Sequence, residues 1–127
     1  MGVNEIKFDK MSNEVIGAAI EVHKFLGAGF LESVYHNALK KELEIRKLDY
    51  ETEKLIQTFY KGELVGEHRL DLVINNEVVV ELKTVQEIAD AHKAQVISYL
   101  KASGIKVGLL LNFSKSKLDI KRIVWEY

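Results

Sequence analysis

Apolar residues recur every three or four positions in three segments of the chain, a spacing typical of amphipathic helices. The first segment, SNEVIGAAIEVHKFLGAG, has Ser12 or Asn13 as its candidate N-cap and ends at Gly27. The second, FLESVYHNALKKELEIRK, follows a short Gly-Ala-Gly connection, so we expect the two helices to be neighbours. The third, EIADAHKAQVISYLKASG, ends at Gly104.

The pattern changes to that of strands between the second and third helices. Residues 50–84 are rich in β-branched and aromatic side chains and predict three strands, with Lys61-Gly62-Glu63 as a hairpin turn. The segments KVGLLLNF and KLDIKRIVWE predict two more strands after the third helix. The predicted order is α-α-β-β-β-α-β-β, which indicates an α/β fold with a central mixed sheet flanked by helices.

The segment RLDLVINNEVVVELKT, residues 69–84, raises a question of strand register. A two-residue loop at Asn75-Asn76 would place Glu77, Glu81 and Lys83 on the same face as the apolar side chains. A three-residue loop, Asn75-Asn76-Glu77, or a bulge avoids this. We predict that register, because it gathers six apolar side chains on one face: Leu70, Leu72, Ile74, Val78, Val80 and Leu82.

The same register gives the opposite face a different character, since it carries Arg69, Asp71, Val73, Val79, Glu81 and Lys83. Asp71 then lies directly across from Glu81, and like charges in that position are destabilising unless they are neutralised. A divalent cation such as Mg²⁺, which prefers carboxylate ligands, would neutralise them. The alternative is that Arg69 and Lys83 pair with the two acids on a solvated sheet face. The residues alone leave both interpretations open.

Asp71 followed by Glu81-Leu82-Lys83 on the next strand resembles the PD-(D/E)XK nuclease superfamily. Leu70 stands where the superfamily's name has a proline. The resemblance implies a restriction-endonuclease-like core of order α-β-β-β-α-β. It further implies that Asp71 and Glu81 bind Mg²⁺, for which Mn²⁺ can substitute, that the backbone carbonyl of Leu82 is a further ligand, and that Lys83 is the catalytic lysine.

A second motif, Gly29-x-x-Glu32-x-x-Tyr35, resembles the GxxExxY family within that superfamily. The segments YKGELVGEHRLDLVI, VVVELKT and HKAQVISYLK resemble it in the same order, so the resemblance runs from about residue 14 to residue 125. It implies that Glu32 is the acidic residue of the first core helix. It also implies that Gln95, four residues before Tyr99 on one helical face, takes part in catalysis.

Five further side chains are candidates for lining the site: Arg69, Tyr99, Tyr35, His92 and His23. Each also has a structural interpretation. Tyr35 and Tyr99 lie on apolar stripes, where a partly buried anchor is the commoner role. His23 and His92 lie beside apolar positions, where hydrogen-bonded packing is the default. The spacing of Glu32 and His36, one helical turn apart, can chelate a metal, but an exposed polar pair is the interpretation we prefer.

Length and composition restrict the remaining possibilities. The 127 residues fit one domain, 1–127, and the absence of cysteine excludes disulfides and thiolate metal sites. The N-terminal stretch MGVNEIKFDK has no apolar signal-peptide region and no apolar run is long enough to cross a membrane, so we expect a cytoplasmic protein with no membrane partner.

The predicted function is metal-dependent hydrolysis of phosphodiester bonds, with DNA favoured over RNA as the nucleic-acid partner. The net charge of −1 gives no overall basic excess, so a nucleic-acid surface must be local, and a homodimer or a partner protein is expected to complete it. The best local patch consists of Lys93, Lys101, Lys115, Lys117, Lys121 and Arg122. The alternative is a non-catalytic module that binds nucleic acid or protein and retains the nuclease fold.

Overall fold

A computed structural model describes residues 3–126, with side chains described from residue 10 onward. The predicted element order is confirmed. The helices are α1 (Val3–Leu26), α2 (Glu32–Ile45) and α3 (Asp90–Ser103), and the strands are β1 (Tyr50–Tyr60), β2 (Glu63–Ile74), β3 (Val78–Lys83), β4 (Val107–Asn112) and β5 (Asp119–Val124). None of the helices in this part of the chain combines the length and apolar character needed to span a membrane.

The five strands form one mixed sheet in the order β1-β2-β3-β4-β5. The β3–β4 pair is parallel and the other pairs are antiparallel. Helix α3 makes the crossover between β3 and β4, as parallel neighbours require. It packs closely on β4 at Gly108, where an added Cβ would lie 2.5 Å from a methyl group of Val96.

Helices cover both faces of the sheet and create two apolar clusters. The first cluster packs α1 and α2 against the sheet; its buried members are Val15, Ala18, Ala19, Val22, Tyr35, Leu39, Leu43, Leu72, Ile74, Val78, Val80, Leu82, Val107, Leu109, Leu111 and Phe113. The second packs α3 against the other face; its buried members are Ile56, Leu70, Val73, Val79, Val96, Tyr99, Leu100 and Leu110.

The predicted start of α1 is wrong, because the helix already begins at Val3. Ser12 lies inside the helix instead of capping it, and it is fully buried. Its hydroxyl accepts a hydrogen bond from Arg122 Nε at 3.2 Å. Serine is tolerated in a helix interior when its side chain finds a partner there, and this partner on β5 is not visible in the local sequence.

The predicted register of β2 and β3 is confirmed. Leu72 pairs with Val80 and Ile74 with Val78, so a three-residue loop joins the strands. Asn75 and Asn76 in that loop have positive φ angles of 52° and 55°, which asparagine adopts more readily than most residues.

Leu70 corrects one part of the register prediction. It is fully buried, but it belongs to the cluster beneath α3 rather than to the one that contains Leu72. The β1–β2 ladder has pairs at Thr52–Leu72 and at Lys54–Leu70, with none between them. The residue between the two β1 partners, Glu53, has a φ of 48°. This left-handed residue interrupts the regular alternation of faces at the level of Asp71.

β1 and β2 continue well beyond the rest of the sheet. Only residues 72–74 of β2 pair with β3, whereas the β1–β2 ladder runs, with interruptions at Glu53 and after Thr58, from Tyr50–Ile74 to Tyr60–Glu63. We call residues 54–70 the β-arm. Lys61 and Gly62 form its turn with φ angles of 48° and 84°, and the predicted third turn residue, Glu63, is the first residue of β2.

Candidate functional site

Asp71 of β2 and Glu81 of β3 meet where the two strands stop pairing through their backbones. The last backbone pair is Leu72–Val80. Beyond it, the Asp71 amide donates a hydrogen bond to Glu81 Oε1 at 3.3 Å, and the Leu82 amide donates one to Asp71 Oδ2 at 3.2 Å. Each carboxylate therefore accepts a hydrogen bond from the opposite strand in place of a backbone carbonyl. The predicted juxtaposition of Asp71 and Glu81 is present.

Glu81 is buried, with 5% of its surface exposed, and Asp71 is half-buried. Burial, and then the charge of Asp71, raise the pKa of Glu81 from 4.5 to about 8, and Lys83 opposes this shift. The solvated-face alternative is therefore wrong, because α3 covers this face. Within the part of the chain whose side chains are described, neither Arg69 nor Lys83 forms an ion pair with either acid.

Helix α2 brings two side chains of its first turns to this pair. Glu32 is the first residue of the helix, and its pKa is raised by partial burial and by Asp71, while Lys83 and His36 lower it. His36, one turn further on and half-buried, donates a hydrogen bond from Nε2 to the backbone carbonyl of Asp71 at 3.2 Å. Our interpretation of His36 as an exposed polar residue missed this contact, although its spacing from Glu32 places both on one helical face.

Helix α3 contributes Tyr99, which is 6% exposed. The pKa of Tyr99 is raised by burial and then by the charges of Glu81 and Asp71, and a hydrogen bond with the Gln95 side chain opposes this. Gln95 itself is exposed. The ring of His68, from the β-arm, lies 5.3 Å from the Tyr99 ring. Tyr99 and Gln95 therefore border the acidic pair from the side opposite α2.

Tyr35 and His23 have structural contacts elsewhere. Tyr35 is fully buried; its hydroxyl donates to the Gly27 carbonyl at 2.6 Å and accepts from the Phe30 amide at 3.2 Å. Its ring stacks on Phe113 at 4.6 Å. Nε2 of the buried His23 donates a hydrogen bond to the backbone carbonyl of Lys115 at 2.8 Å. The recorded contacts of both residues hold loops in place and do not involve Asp71 or Glu81.

The contacts of His92 and Arg69 also do not involve the acidic pair. Nδ1 of His92 accepts a hydrogen bond from the Ala89 amide at 2.9 Å, so this residue caps the start of α3. Arg69 is exposed on the β-arm, where it pairs with Leu55 of β1. Sequence spacing had placed Arg69 on the face of Asp71, and the interruption at Glu53 changes that relation.

The predicted basic patch is partly neutralised by nearby acids. Lys115 contacts Glu87 at 2.9 Å and Asp119 at 3.8 Å, and Lys121 contacts Asp119 at 3.7 Å. Lys101 lies over the Trp125 ring at 4.4 Å. Tyr127, whose packing was considered together with that of Trp125, is outside the described residues.

The donor set fits a hard divalent cation such as Mg²⁺. It consists of two facing carboxylates, one of them buried, with a pKa raised by burial and then by the charge of its neighbour. A bound cation would relieve their repulsion. Among the described residues, no group of three or more His, Cys, Asp or Glu is arranged to hold a metal ion. The protein would thus supply two acidic ligands, and Mg²⁺ commonly completes its shell with water and phosphate oxygens.

Comparisons with known proteins agree with this fold. The model of a family described as the PD-(D/E)XK nuclease superfamily matches residues 9–123. Among solved structures, the crystal structure of SSO0001 is similar with a TM-score of 0.60 and 22% sequence identity, over 75% of this chain and 50% of that chain. The chain thus spans about half the length of SSO0001. The search of curated proteins gave no significant match.

Proposed function

Because the chain belongs to the PD-(D/E)XK nuclease superfamily, we propose that it is a metal-dependent nuclease that hydrolyses phosphodiester bonds in DNA. The superfamily consists generally of nucleases, so membership supports a nuclease-type function. The metal dependence, the DNA substrate and the closer relation to the GxxExxY family are parts of the proposal.

One observation carries the proposal: two carboxylates face each other where one of them is buried, an arrangement expected to cost stability. Glu81 is buried beside a second carboxylate and has no ion-pair partner among the described side chains. A structural role would be served better by a neutral side chain of similar shape. A buried carboxylate with a strongly raised pKa, next to a specific charge partner, is the pattern expected of a functional site.

The residues around the pair have chemically distinct roles in this proposal. Asp71 and Glu81 would hold Mg²⁺, with the Leu82 carbonyl as a further ligand. When bound, Mg²⁺ supplies charge neutralisation at the scissile phosphate and lowers the pKa of a water molecule. Lys83 lies at the end of β3 and contributes positive charge at both Glu81 and Glu32. It would orient the attacking water and stabilise the negative charge that develops on the phosphate.

Three neighbours would position these groups. His36 fixes the backbone of Asp71 through its hydrogen bond to the carbonyl. Glu32 lies close enough to Asp71 and Lys83 for their charges to shift its pKa. From that position it can hold a water molecule near them. Gln95 bonds to Tyr99, whose hydroxyl lies within the field of both acids. A group of polar side chains held from three elements in this way gives the preorganisation that phosphoryl chemistry requires.

The test is cleavage of single-stranded, duplex and branched DNA and RNA in Mg²⁺, Mn²⁺ or EDTA. Asp71→Asn, Glu81→Gln and Lys83→Met keep the shape of each side chain, and each is expected to lower the cleavage rate by at least about a hundredfold. Lys41→Met is the matched control, because Lys41 is an exposed lysine of α2 that belongs neither to the acidic site nor to the candidate basic patch. It should cleave at the wild-type rate.

The outcomes separate the proposal from its alternative. Cleavage that needs a divalent cation and is lost in the three site variants supports the nuclease and identifies the nucleic acid that it cuts. Cleavage that continues in EDTA, or that Lys83→Met retains, contradicts the proposed chemistry. A wild-type protein that is folded and binds nucleic acid, but cuts none of the substrates in Mg²⁺ or Mn²⁺, would instead be the non-catalytic module.

A further inference from the structure

The two edge strands of the sheet differ in how well they are protected against pairing with another chain. β5 spans six residues and carries Asp119, Lys121 and Arg122. β1 spans eleven residues, and its charges, at positions 51, 53 and 54, lie at one end. Short, charged edge strands resist edge-to-edge pairing, whereas long neutral ones permit it. The outer edge of β1 is therefore open to a further strand along residues 55–60.

This open edge carries large apolar side chains. Leu55 is 45% exposed, Phe59 is 59% exposed and Tyr60 is 63% exposed. They lie on the β-arm, which extends past β3 and has β2 as its strand partner. Neighbouring exposed apolar residues beside unpaired backbone groups are typical of strand-addition interfaces.

The sequence of β1 is complementary to itself in one antiparallel register. When two copies pair with Gln57 opposite Gln57, Leu55 faces Phe59 within the regular part of β1, residues 54–60. Just beyond that part, Glu53 of one copy and Lys61 of the other lie at the same end of the interface, where their opposite charges attract. Each of these pairs occurs twice, because the arrangement has a two-fold axis. Opposite charges and apolar pairs facing each other across strands are both favourable.

Neighbouring registers lack this complementarity. Centring the pairing on Ile56 puts Leu55 opposite Gln57, and centring it on Thr58 puts Leu55 opposite Lys61. Centring it between Gln57 and Thr58 brings Lys54 of one copy to Lys61 of the other. A register that gains from both its apolar and its charged pairs, while its neighbours lose one or both, is strongly specified.

We propose that β1 pairs antiparallel with β1 of a second copy of this chain, about a two-fold axis at Gln57. The two five-stranded sheets then become one continuous sheet, and the interface is isologous, as in most homodimers. Leu55 and Phe59 of each copy become buried against the other copy. The proposal concerns assembly only and does not depend on the proposed nuclease function.

The first experiment exchanges the terminal charges and measures association by sedimentation at several protein concentrations. Glu53→Lys places lysine opposite lysine at both ends of the interface, and Lys61→Glu places glutamate opposite glutamate. Each variant alone is expected to raise the dimer dissociation constant about tenfold or more. A one-to-one mixture of the two variants restores opposite charges at both ends, so the mixture should dimerise as well as wild type.

The mixture also serves as the folding control, because it contains only the two variant chains. Recovery on mixing cannot occur if either variant is simply misfolded. The double variant E53K/K61E should dimerise on its own. A wild-type protein that is monomeric at micromolar concentrations and above, or single variants that dimerise as well as wild type, would overturn the proposal.

The second experiment uses the absence of cysteine from the chain. Gln57→Cys places a single thiol at the proposed two-fold axis, where it meets its own symmetry mate within disulfide range. Under mild oxidation this variant should crosslink almost completely to a dimer. Lys121→Cys, on the exposed part of β5, is the matched control and should crosslink slowly. Equal crosslinking of the two variants would count against the register.

Discussion

The two faces of the sheet are built from different side chains, although they belong to the same strands. The face beneath α1 and α2 is covered by apolar residues throughout, and Leu72, Val80 and Leu82 lie in its core. The face beneath α3 is also packed at Val73 and Val79. Two residues from Val73 and Val79, however, the same face carries Asp71 and Glu81, and there β2 and β3 cease to pair through their backbones.

This difference gives burial opposite effects on stability at the two faces. On the first face, burial removes apolar area from water and contributes directly to folding. On the second, burial of Glu81 beside Asp71 raises the free energy of the charged folded state, which the raised pKa of Glu81 records. We therefore expect removal of an apolar side chain from the first face and neutralisation of Glu81 on the second to change stability in opposite directions.

The largest effect is expected for Leu109→Ala on the apolar face. Leu109 is fully buried, lies in the first cluster and pairs with Val80 in the centre of the sheet. Removing its side chain leaves a cavity and should lower the free energy of unfolding by about 3 kcal/mol. Leu109→Met, which conserves volume, is the control and should cost less than about 1.5 kcal/mol. Urea denaturation measures both values, and equal costs would contradict the close packing of this face.

Glu81→Gln should act in the opposite direction and stabilise the metal-free protein at pH 8 and above. The pKa of Glu81 is raised from 4.5 to about 8 in the folded state. Between these values the unfolded chain has released a proton that the folded protein keeps, so wild-type stability falls as pH rises. Glu81→Gln has no carboxyl group at this position to titrate, so its stability should not fall with pH in this way. Urea denaturation at pH 5 and pH 8.5 checks it, because the two proteins should differ little at pH 5.

The same substitution should remove stabilisation by metal. A divalent cation bound by Asp71 and Glu81 displaces the proton of Glu81, so the melting temperature of wild type should rise with added Mn²⁺, more strongly at pH 8 than at pH 6. Glu81→Gln should show almost no rise. A variant that is less stable than wild type at pH 8.5, or that Mn²⁺ stabilises equally well, would contradict the account of this face.

The apolar face was predictable from sequence because its pattern is local. Alternation along residues 72–82, and the cost of burying three charged residues in the other register, determined the loop at Asn75 and the position of Asp71 opposite Glu81. Leu70 was misplaced because the left-handed backbone at Glu53 lies on another strand, where no glycine or asparagine marks it.

The surroundings of the site were less predictable because they depend on contacts between distant segments. The hydrogen bond of His36 to the Asp71 carbonyl joins residues 35 positions apart. The cover that α3 provides over Glu81 depends on the close approach at Gly108. Spacing showed which residue types could act together, whereas burial, and with it the pKa of Glu81, became visible only in the fold.

Tyr35→Phe tests the assignment of that tyrosine to the apolar side. Its hydroxyl bonds to the Gly27 carbonyl and the Phe30 amide, which join α1 to α2. Loss of these bonds should lower the free energy of unfolding by about 1 to 2 kcal/mol. Nuclease activity should change less than twofold, because no recorded contact of the hydroxyl involves Asp71 or Glu81. A large loss of cleavage without a loss of stability would place Tyr35 in the site.

Tyr99→Phe should give the reverse pattern and the smallest change in stability. The Tyr99 hydroxyl bonds to the Gln95 side chain, which is exposed, so its removal should lower the free energy of unfolding by about 0.5 kcal/mol. The same hydroxyl lies within the field of Glu81 and Asp71, which raise its pKa. Cleavage should therefore fall by about three- to tenfold, since the hydroxyl helps to position polar groups beside the acids. Cleavage rates and urea midpoints measured side by side for the two variants test whether Tyr35 serves mainly stability and Tyr99 mainly cleavage. Equal losses of activity in the two variants would contradict this difference.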